Sequence, residues 1–499
     1  MKRLSTLLAA VVCAGTVHAS TFTVTTTADS GAGSLRTALT SAGAAAGPHT
    51  IVFHIPNTDP NLVGGVFVIT PTNALPILFT SGGITLDGAS QTTFGGDTNP
   101  SGPEISLNGN NAVGGLFLGN NNKLINLNIR NFLGYGLTMT GGTNNTVRGC
   151  YIGTDPTGQT AQPNAGAGID CAGSRNTFGG TNPSDRNVIC GNSNDGITLR
   201  STAGNNIIQG NYFGTDATGT KAISGSADGI ECLGPNNLIG GNTPAARNIF
   251  AGHINAAGVR LAFATVTGTI VRGNYFGTDV TGTNVLANRE GIDIVNGANG
   301  TIIDGNLITG NLRAGIRINT NSLGGVAPTN NIVTGNSIYN NGNPNQSYLG
   351  ISFAEISTTP TPNDPCDADD GNQHLQNYPI ISNATTVPGG VRIQGTLNSV
   401  ASQSYRIEFF ANDECDPTGY GEGQYYLGFT NVTTTGGCTA TIDSTFNSSI
   451  QSPVHLTATA TDPENNTSEF GPCLQFFPNP IQCDLDPGTA LVVTNTPHT

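Results

Sequence analysis

Short segments in which apolar and polar residues alternate recur along most of this chain. Residues 168–171, 229–232 and 291–294 have the sequences Gly-Ile-Asp-Cys, Gly-Ile-Glu-Cys and Gly-Ile-Asp-Ile. The second and fourth positions are apolar or cysteine in each segment, whereas the third position varies. A period of two is typical of a strand that buries one face. The pattern therefore predicts many short β-strands.

A longer repeat organises these strands. The segment Arg-Gly-Cys-Tyr-Ile-Gly-Thr-Asp at residues 148–155 returns in variant form at 209–216 and 272–279, 61 and 63 residues apart, with weaker copies halfway between. The unit is thus about 31 residues and holds three short strands. Such a unit cannot close a core alone, but stacked units can. We predict an all-β chain whose main part is a right-handed parallel β-helix.

Asparagines recur at the turns of the predicted coils, and they are expected to stack into a hydrogen-bonded ladder, since Asn tolerates the left-handed turn. Cys150 takes the place of one of them. The expected rungs are Asn187, Asn211, Asn248, Asn274, Asn306 and Asn336.

The remaining patterns divide the chain into six segments. Residues 1–19 have the charge and apolar pattern of a secretory signal peptide. Residues 20–50 form an N-terminal cap that includes the one clearly helical stretch, 34–46. The β-helix covers 51–356, a linker rich in Pro and Asp covers 357–377, and alternating strands predict an Ig-like β-sandwich at 378–475. Residues 476–499 are expected to be a loose tail.

Composition and charge narrow the classes of partner. Charged residues make up only 10% of the chain, Gly accounts for 69 of 499 residues, and the net charge is −14. The negative charge argues against nucleic acid and anionic membranes as partners. No later stretch is apolar for long enough to span a bilayer. We expect a secreted protein, either extracellular or on the cell surface.

Ten cysteines are present, one of them in the predicted signal peptide. Export permits disulfides, and Cys415 is expected to pair with Cys473 or Cys438, because all three lie in the predicted sandwich. Cysteine and histidine spacings do not match a structural zinc site. The sequence predicts no cofactor. Calcium is the one candidate ion, because carboxylate oxygens are its usual ligands. The candidate site is an acidic cluster of Asp364, Asp367, Asp369 and Asp370. The alternative interpretation of this cluster is a solvated linker.

Several motifs resemble those of bacterial secreted β-helix repeat proteins. Residues 21–24, 28–31 and 33–36 are similar to their CSLREA-type opening, and 84–88 and 186–189 resemble their body. Residues 419–423 and 460–463 resemble their C-terminal Ig-like module. The resemblance covers nearly the whole mature chain and implies the architecture. It does not specify a function, because β-helices serve as lyases, hydrolases, adhesins and passive surface proteins.

The third position of the Gly-Ile-x-Leu strands is the best candidate for a functional surface. We call this row the charged ladder; in coil order it comprises Thr138, Asp170, Thr198, Glu231, Arg260, Asp293, Arg317 and Ser352. Successive members are expected about 5 Å apart on a solvent-facing line. Exposed salt bridges between coils are the simpler interpretation, each contributing at most about 1 kcal/mol.

The functional interpretation of the charged ladder is a groove for a polysaccharide. Glu231 and Asp293 would then be catalytic carboxylates two coils apart, with Arg260 between them. Asp170 and Arg317 would bind the ligand at either side.

Three functions therefore remain open. A non-catalytic protein that adheres to glycans or surfaces is favoured, because the aspartate set of pectin hydrolases and the calcium carboxylates of pectate lyases are both missing. A polysaccharide lyase or glycoside hydrolase is the main alternative, and a structural stalk is the third. Whether the protein is an enzyme stays undecided at this stage, and a polysaccharide or cell-surface glycan is the expected partner.

Overall fold

The computed structural model describes residues 19–78, 82–110, 112, 114–320, 325–343, 346–447, 450 and 454–478. The predicted signal peptide, apart from its last residue, and the predicted tail from 479 onward lie outside the described residues. Within the described part of the chain, no helix has the length and apolar character needed to cross a membrane.

Three largely parallel sheets run along the larger part of the chain, and most coils contribute one strand to each sheet. The exception to parallel pairing is the short strand Leu62–Val63, which pairs antiparallel with Val66–Ile69. The first sheet contains Ser20–Val24, His49–Phe53, Ile84–Asp87, Lys123–Ile125, Thr146–Arg148, Thr177–Gly179, Ile207–Gln209, Leu238–Gly240, Ile270–Arg272, Ile302–Asp304 and Ile332–Thr334. The second contains Leu62–Val63, Val66–Ile69, Ile105–Asn108, Leu127–Arg130, Tyr151–Ile152, Val188–Ile189, Tyr212–Phe213, Ile249–Phe250, Tyr275–Phe276, Leu307–Thr309 and Ser337–Tyr339. The third contains Leu116–Phe117, Leu137–Met139, Ile169–Cys171, Ile197–Leu199, Ile230–Cys232, Ala257–Ala262, Glu290–Val295, Ile316–Asn319 and Ile351–Ser352.

The chain is a right-handed parallel β-helix with a C-terminal β-sandwich, as the repeat predicted. Its core is made by the apolar positions that the alternation identified, each lying on its counterpart in the next coil. Ile197, Ile230 and Val259 are fully buried and stacked in register. The rings of Phe213, Phe250 and Phe276 stack 4.8 Å apart, which is the spacing of paired strands.

The predicted asparagine ladder is confirmed. In each rung the backbone N–H and the side-chain amide donate to the Oδ1 of the next asparagine, as from Asn211 to Asn248 at 2.9 and 3.0 Å. Cys150 enters the ladder through its backbone N–H, which donates to Asn187. A parallel ladder at another turn was not predicted; it contains Asn122, Asn145, Asn176, Asn206 and Asn237.

Two helices flank the first coils. The helix Leu35–Gly43 begins at Ser34, whose side chain accepts the N–H of Thr37, and its buried face covers the end of the core. The pattern predicted this helix a few residues too long. The second helix, Ala89–Gly95, was not predicted. The side-chain amide of Gln91 is buried. It accepts the backbone N–H of Ile55 and donates to the carbonyl of Ile55, as the backbone of a neighbouring strand would.

The C-terminal region is an antiparallel β-sandwich. One sheet contains Ile380–Val387, Gly390–Asn398 and Thr439–Asn447, and the other contains Tyr425–Thr433, Ser404–Asn412, Val454–Thr461 and Leu474–Phe476. A short hairpin, Gly342–Asn343 with Gln346–Ser347, precedes it. Disulfides join Cys415 to Cys473 and Cys366 to Cys438. The first of these is one of the two pairings that the sequence left open for Cys415.

Side chains from the sandwich and from the segment before it bind the open end of the β-helix. Glu422 accepts the backbone N–H and the side-chain amide of Asn341, at 3.0 and 2.9 Å. Gln373 does the same for Asn331, and Glu469 accepts the N–H of Phe353. These acceptors occupy the places where the next coil would lie, so the β-helix ends with its backbone donors satisfied.

Candidate functional site

The charged ladder lies on the third sheet in the order that the repeat predicted. Parallel pairing places Asp170 beside Thr198, Thr198 beside Glu231, Glu231 beside Arg260, Arg260 beside Asp293, and Asp293 beside Arg317. Because the register is one-to-one, oppositely charged side chains are direct neighbours from Glu231 to Arg317.

The structure corrects the expectation that every ladder side chain faces solvent. The side chains of Glu231 and Arg260 are 24% and 31% exposed, whereas those of Asp293 and Arg317 are only 2% and 3% exposed. The cause is the neighbouring coils and turns, which cover Arg317 with Glu290 and Glu355 as well as with Asp293. The accessible part of the ladder is thus the stretch around Glu231 and Arg260.

Asp293 and Arg317 form a buried, bidentate ion pair. Arg317 Nε donates to Asp293 Oδ1 at 2.8 Å and Nη2 donates to Oδ2 at 2.7 Å. Burial lowers the pKa of Arg317, but the hydrogen bonds and charge of Asp293 outweigh it and leave that pKa raised. Both groups are committed to each other. Asp293 therefore serves the architecture of the ladder better than it would serve catalysis.

Asp170 is also paired within the protein. Arg200 Nε donates to its Oδ1 at 2.6 Å, and Arg200 Nη2 donates to the hydroxyl of Tyr135 at 3.1 Å. The three residues form a half-exposed polar cluster at the side of the ladder toward the N-terminus. The predicted ligand-binding residues Asp170 and Arg317 thus lie on either side of Glu231 and Arg260, each with a partner of its own.

Arg260 differs from Arg317, the other arginine of the ladder. Its Nη1 lies 4.0 Å from Glu231 Oε1 and its Nε lies 3.9 Å from Asp293 Oδ2, distances that are too long for hydrogen bonds. Among the described residues, the buried Nε has no hydrogen-bond partner. Arg260 is held between two carboxylates, and its side chain is 31% exposed, so a ligand could contact its guanidinium group.

Sequence reasoning missed a second row of carboxyl groups beside the ladder. In two adjacent coils the residue immediately before the glycine of the strand is an aspartate, Asp195 and Asp228, and both side chains are buried. Asp195 Oδ1 accepts the N–H of Asp228 at 3.2 Å, and its Oδ2 accepts the hydroxyl of Thr198 at 2.7 Å. Asp228 Oδ1 accepts the N–H of Ala257. The recurring Asp-Gly-Ile at residues 195–197 and 228–230 was the available signal.

The pKa values of both carboxyl groups are raised above the usual value for aspartate. Burial raises the pKa of Asp228 to about 7, with the charge of Asp195 adding to the effect, while the Ala257 N–H and Arg260 oppose it. Burial likewise raises the pKa of Asp195 to about 6 against the Thr198 hydrogen bond, and the charge of Glu231 adds to the rise. Two buried carboxyl groups with pKa values raised to about 6 and about 7 thus lie near Glu231 and Arg260, whose charges act on them.

His253 lies beside this row but serves the core. Its Nδ1 is 3.0 Å from the carbonyl oxygen of Ala227, and its backbone N–H donates to Asn288 Oδ1 at 3.2 Å. Burial lowers its pKa to about 4, so the imidazole is neutral at ordinary pH. The carboxyl groups, not the histidine, are the groups of this surface that exchange protons near pH 7.

Comparisons with known proteins concern the fold alone. No family model matches the chain. No curated protein matches it either. Among solved structures, the mannuronan C-5 epimerase AlgE4 A-module of Azotobacter vinelandii is 13% identical with a TM-score of 0.37, covering 62% of this chain and 74% of that one. A periplasmic alginate epimerase is 14% identical with a TM-score of 0.29, and the match covers 63% of this chain and 67% of the epimerase. The enzymatically active domain of tailspike protein 2 of bacteriophage CBA120 is 11% identical with a TM-score of 0.29, and the match covers 92% of this chain and 72% of the tailspike domain.

The acidic turns elsewhere in the chain have local roles. Asp279 accepts hydrogen bonds from Thr281 and Asn284 within its own turn, as expected of a turn-capping aspartate.

Of the described residues, only Asp364, Asp367 and Asp369 bring three potential ligand atoms within 4.8 Å of one another. Asp364 accepts the N–H of Ala368 and Asp367 accepts that of Asn377. A calcium ion at this cluster stays a prediction.

Proposed function

We propose that the protein is secreted, binds an extracellular polysaccharide across the third sheet near Glu231 and Arg260, and hydrolyses its glycosidic bonds by acid–base catalysis. One observation carries this proposal: the buried carboxyl group of Asp228, with a pKa of about 7, is close enough to Arg260 to feel its charge, and Asp228 directly precedes the strand of the partly exposed Glu231. A carboxyl group that stays protonated near neutral pH is what a glycosidase needs as its general acid.

The roles follow from the environment of each group. Asp228 transfers its proton to the glycosidic oxygen as the bond to the anomeric carbon breaks, and the leaving sugar departs as an alcohol. Glu231 removes a proton from the water that attacks the anomeric carbon. Arg260, whose side chain is 31% exposed, donates hydrogen bonds to sugar oxygens. Asp195 keeps the proton on Asp228 through its charge, and the Asp293–Arg317 pair holds Arg260 in place.

Asp228→Asn is the test of this proposal. Incubation with a panel of neutral and acidic polysaccharides should release reducing ends without unsaturated products. The variant should lose turnover by about 10²- to 10⁴-fold, the usual contribution of a general acid, while affinity for the polysaccharide stays within about twofold. Wild-type turnover should fall as the pH rises above about 7, because Asp228 then loses the proton that it donates.

Asp304→Asn is the matched control, since Asp304 pairs with Arg272 on the first sheet, away from the charged ladder. It should leave turnover unchanged. Unsaturated product ends would contradict hydrolysis and indicate a lyase, and a fully active Asp228→Asn variant would rule out the assigned acid.

Non-catalytic glycan binding is the second candidate. It is favoured by the ion pairs at the ladder, whose charges are neutralised within the protein. Asp170–Arg200 and Asp293–Arg317 both satisfy their charges internally, as a stable adhesive surface would. Polysaccharide binding without any turnover in the wild-type protein would decide for this candidate. In that case, simultaneous replacement of Glu231, Arg260 and Asp293 by Ala should abolish binding while circular dichroism shows that the variant still folds.

A further inference from the structure

A cavity of about 520 Å³ lies at the junction between the last coil and the sandwich. The end of the strand Ser337–Tyr339 and the residues that follow it form one wall, and the sandwich segment from Asn412 to Asp416 forms the other. Its volume falls within the range of about 300–1,000 Å³ that is usual for small-ligand sites, which favour such interfaces.

The two walls are held together independently of any ligand. Ile338 and Gly423 exchange two backbone hydrogen bonds of 2.8 Å across the junction. Glu422 binds Asn341 through both of its oxygens, and the Cys415–Cys473 disulfide anchors the sandwich wall. The cavity is therefore preformed, which lowers the entropic cost of binding.

The lining is polar and of one sign. It includes the carboxyl groups of Asp413, Glu414 and Asp416, and no lysine, arginine or histidine is among the lining residues. Neither the carboxylate of Glu414 nor the hydroxyl of Tyr339 has a hydrogen-bond partner within the described chain. The cavity thus offers an uncommitted acceptor, an uncommitted hydroxyl and a negative potential.

An exposed aromatic ring adjoins this lining. Tyr425 is 49% exposed, and its hydroxyl donates to Asp413 Oδ2 at 3.0 Å. An exposed tyrosine beside planar amide and carboxyl groups combines an apolar face with hydrogen-bonding edges. That combination suits a sugar ring, which has apolar faces and a polar rim.

The same carboxyl groups do not form a metal site. A divalent cation needs oxygen ligands that converge on one point. Among the described residues, the three-carboxylate group that converges within 4.8 Å is Asp364, Asp367 and Asp369, and none of these lines the cavity. The positive charge that the cavity attracts would accordingly be carried by an organic group.

We propose that this junction cavity binds a sugar residue that carries a protonated amino group. The site is separate from the surface around Asp228, and its existence does not depend on the proposed hydrolysis. Tyr425 packs against the sugar ring, the Tyr339 hydroxyl binds a ring substituent, and Glu414 pairs with the ammonium group.

Two oligosaccharides that differ only in charge test this proposal. Calorimetric titration of the full chain with chitosan hexasaccharide at low salt should show binding, and the N-acetylated hexasaccharide should bind at least tenfold more weakly. Glu414→Gln should weaken chitosan binding about two- to fivefold, as expected for one partly exposed ion pair. Tyr425→Ala should weaken the binding of both oligosaccharides.

Glu464→Gln is the matched control, because Glu464 is an exposed residue of the sandwich that does not line this cavity. It removes the same charge and should leave binding unchanged. Equal affinity for the two oligosaccharides, no binding of either, or an equal effect of Glu464→Gln and Glu414→Gln would overturn the proposal.

Discussion

At the scale of single residues, burial decides how each member of the charged ladder behaves. Glu231 and Arg260 remain partly exposed, and their ion pair spans 4.0 Å, so solvent weakens it. Asp293 and Arg317 are almost fully buried and make two short hydrogen bonds. Removing one member of such a pair leaves an uncompensated charge in a poorly solvated place.

Asp293→Ala should therefore destabilise the protein by about 3–5 kcal/mol, whereas Glu231→Ala should cost less than about 1 kcal/mol. Thermal and denaturant unfolding followed by circular dichroism would measure both. The double variant Asp293→Leu with Arg317→Leu should recover most of the loss, because no charge is then left buried without a partner. Equal losses for Asp293→Ala and Glu231→Ala would show that the burial difference has no energetic consequence.

At the scale of elements, the strands are too short to be stable individually, and the asparagine ladder joins the coils. Asn248 is fully buried and donates its amide to Asn274 and to the carbonyl of Ile208. Its Oδ1 accepts both the backbone N–H and the amide of Asn211. One side chain thus satisfies groups of three coils.

Asn248→Ala should destabilise the β-helix by roughly 3 kcal/mol or more, since several buried polar groups lose their partners at about 1–3 kcal/mol each. Asn194→Ala, at an exposed asparagine near one of the turns, is the control and should change stability by less than about 0.5 kcal/mol. Hydrogen exchange should show faster exchange of the Asn211 amide in the Asn248 variant. An unchanged exchange rate would mean that the ladder does not stabilise the coil.

At the scale of the whole molecule, the sandwich and the β-helix form one hydrogen-bonded assembly. Glu422 and Glu469 lie buried where the two meet, and burial raises their pKa values to about 8 and about 7, against the hydrogen bonds that each accepts. An unfolded glutamate has a pKa near 4.5. Between these values the folded protein holds protons that the unfolded chain has released.

Stability should consequently fall as the pH rises from about 5 to about 8, by up to about 1.4 kcal/mol per pH unit for each such group. Glu422→Gln, which stays neutral, should flatten this dependence when unfolding is measured at several pH values across the window. Glu464→Gln should not alter it. A stability that rises with pH over this range would show that Glu422 and Glu469 are ionised in the folded protein.

The sequence predicted the regular part of the molecule well, because the repeat places the same kinds of residue at the same positions of every coil. The strand around Ile230, the ladder rung at Asn211 and the pairing of Glu231 with Arg260 all follow from spacing. The helix Ala89–Gly95 was missed, since a single buried glutamine rather than an apolar face holds it.

The candidate site was predicted only in part. Spacing placed Glu231, Arg260 and Asp293 in one row, but it could not show that Asp293 is committed to Arg317. Asp195 and Asp228 were overlooked because each precedes a strand, and only the turn brings them to the ladder. Their raised pKa values depend on burial by neighbouring coils, which no single segment of sequence contains.

The sequence by itself determined the period of the coil, the apolar stack and the order of charges along the third sheet, because each depends on positions repeated at a constant interval. Tertiary structure alone decided which of those charges are buried, how Asp228 comes to hold a proton near neutral pH, and how Glu422 and Gln373 close the last coil. These features depend on contacts between segments far apart in the chain, whose distances and solvation arise only when the whole molecule has folded.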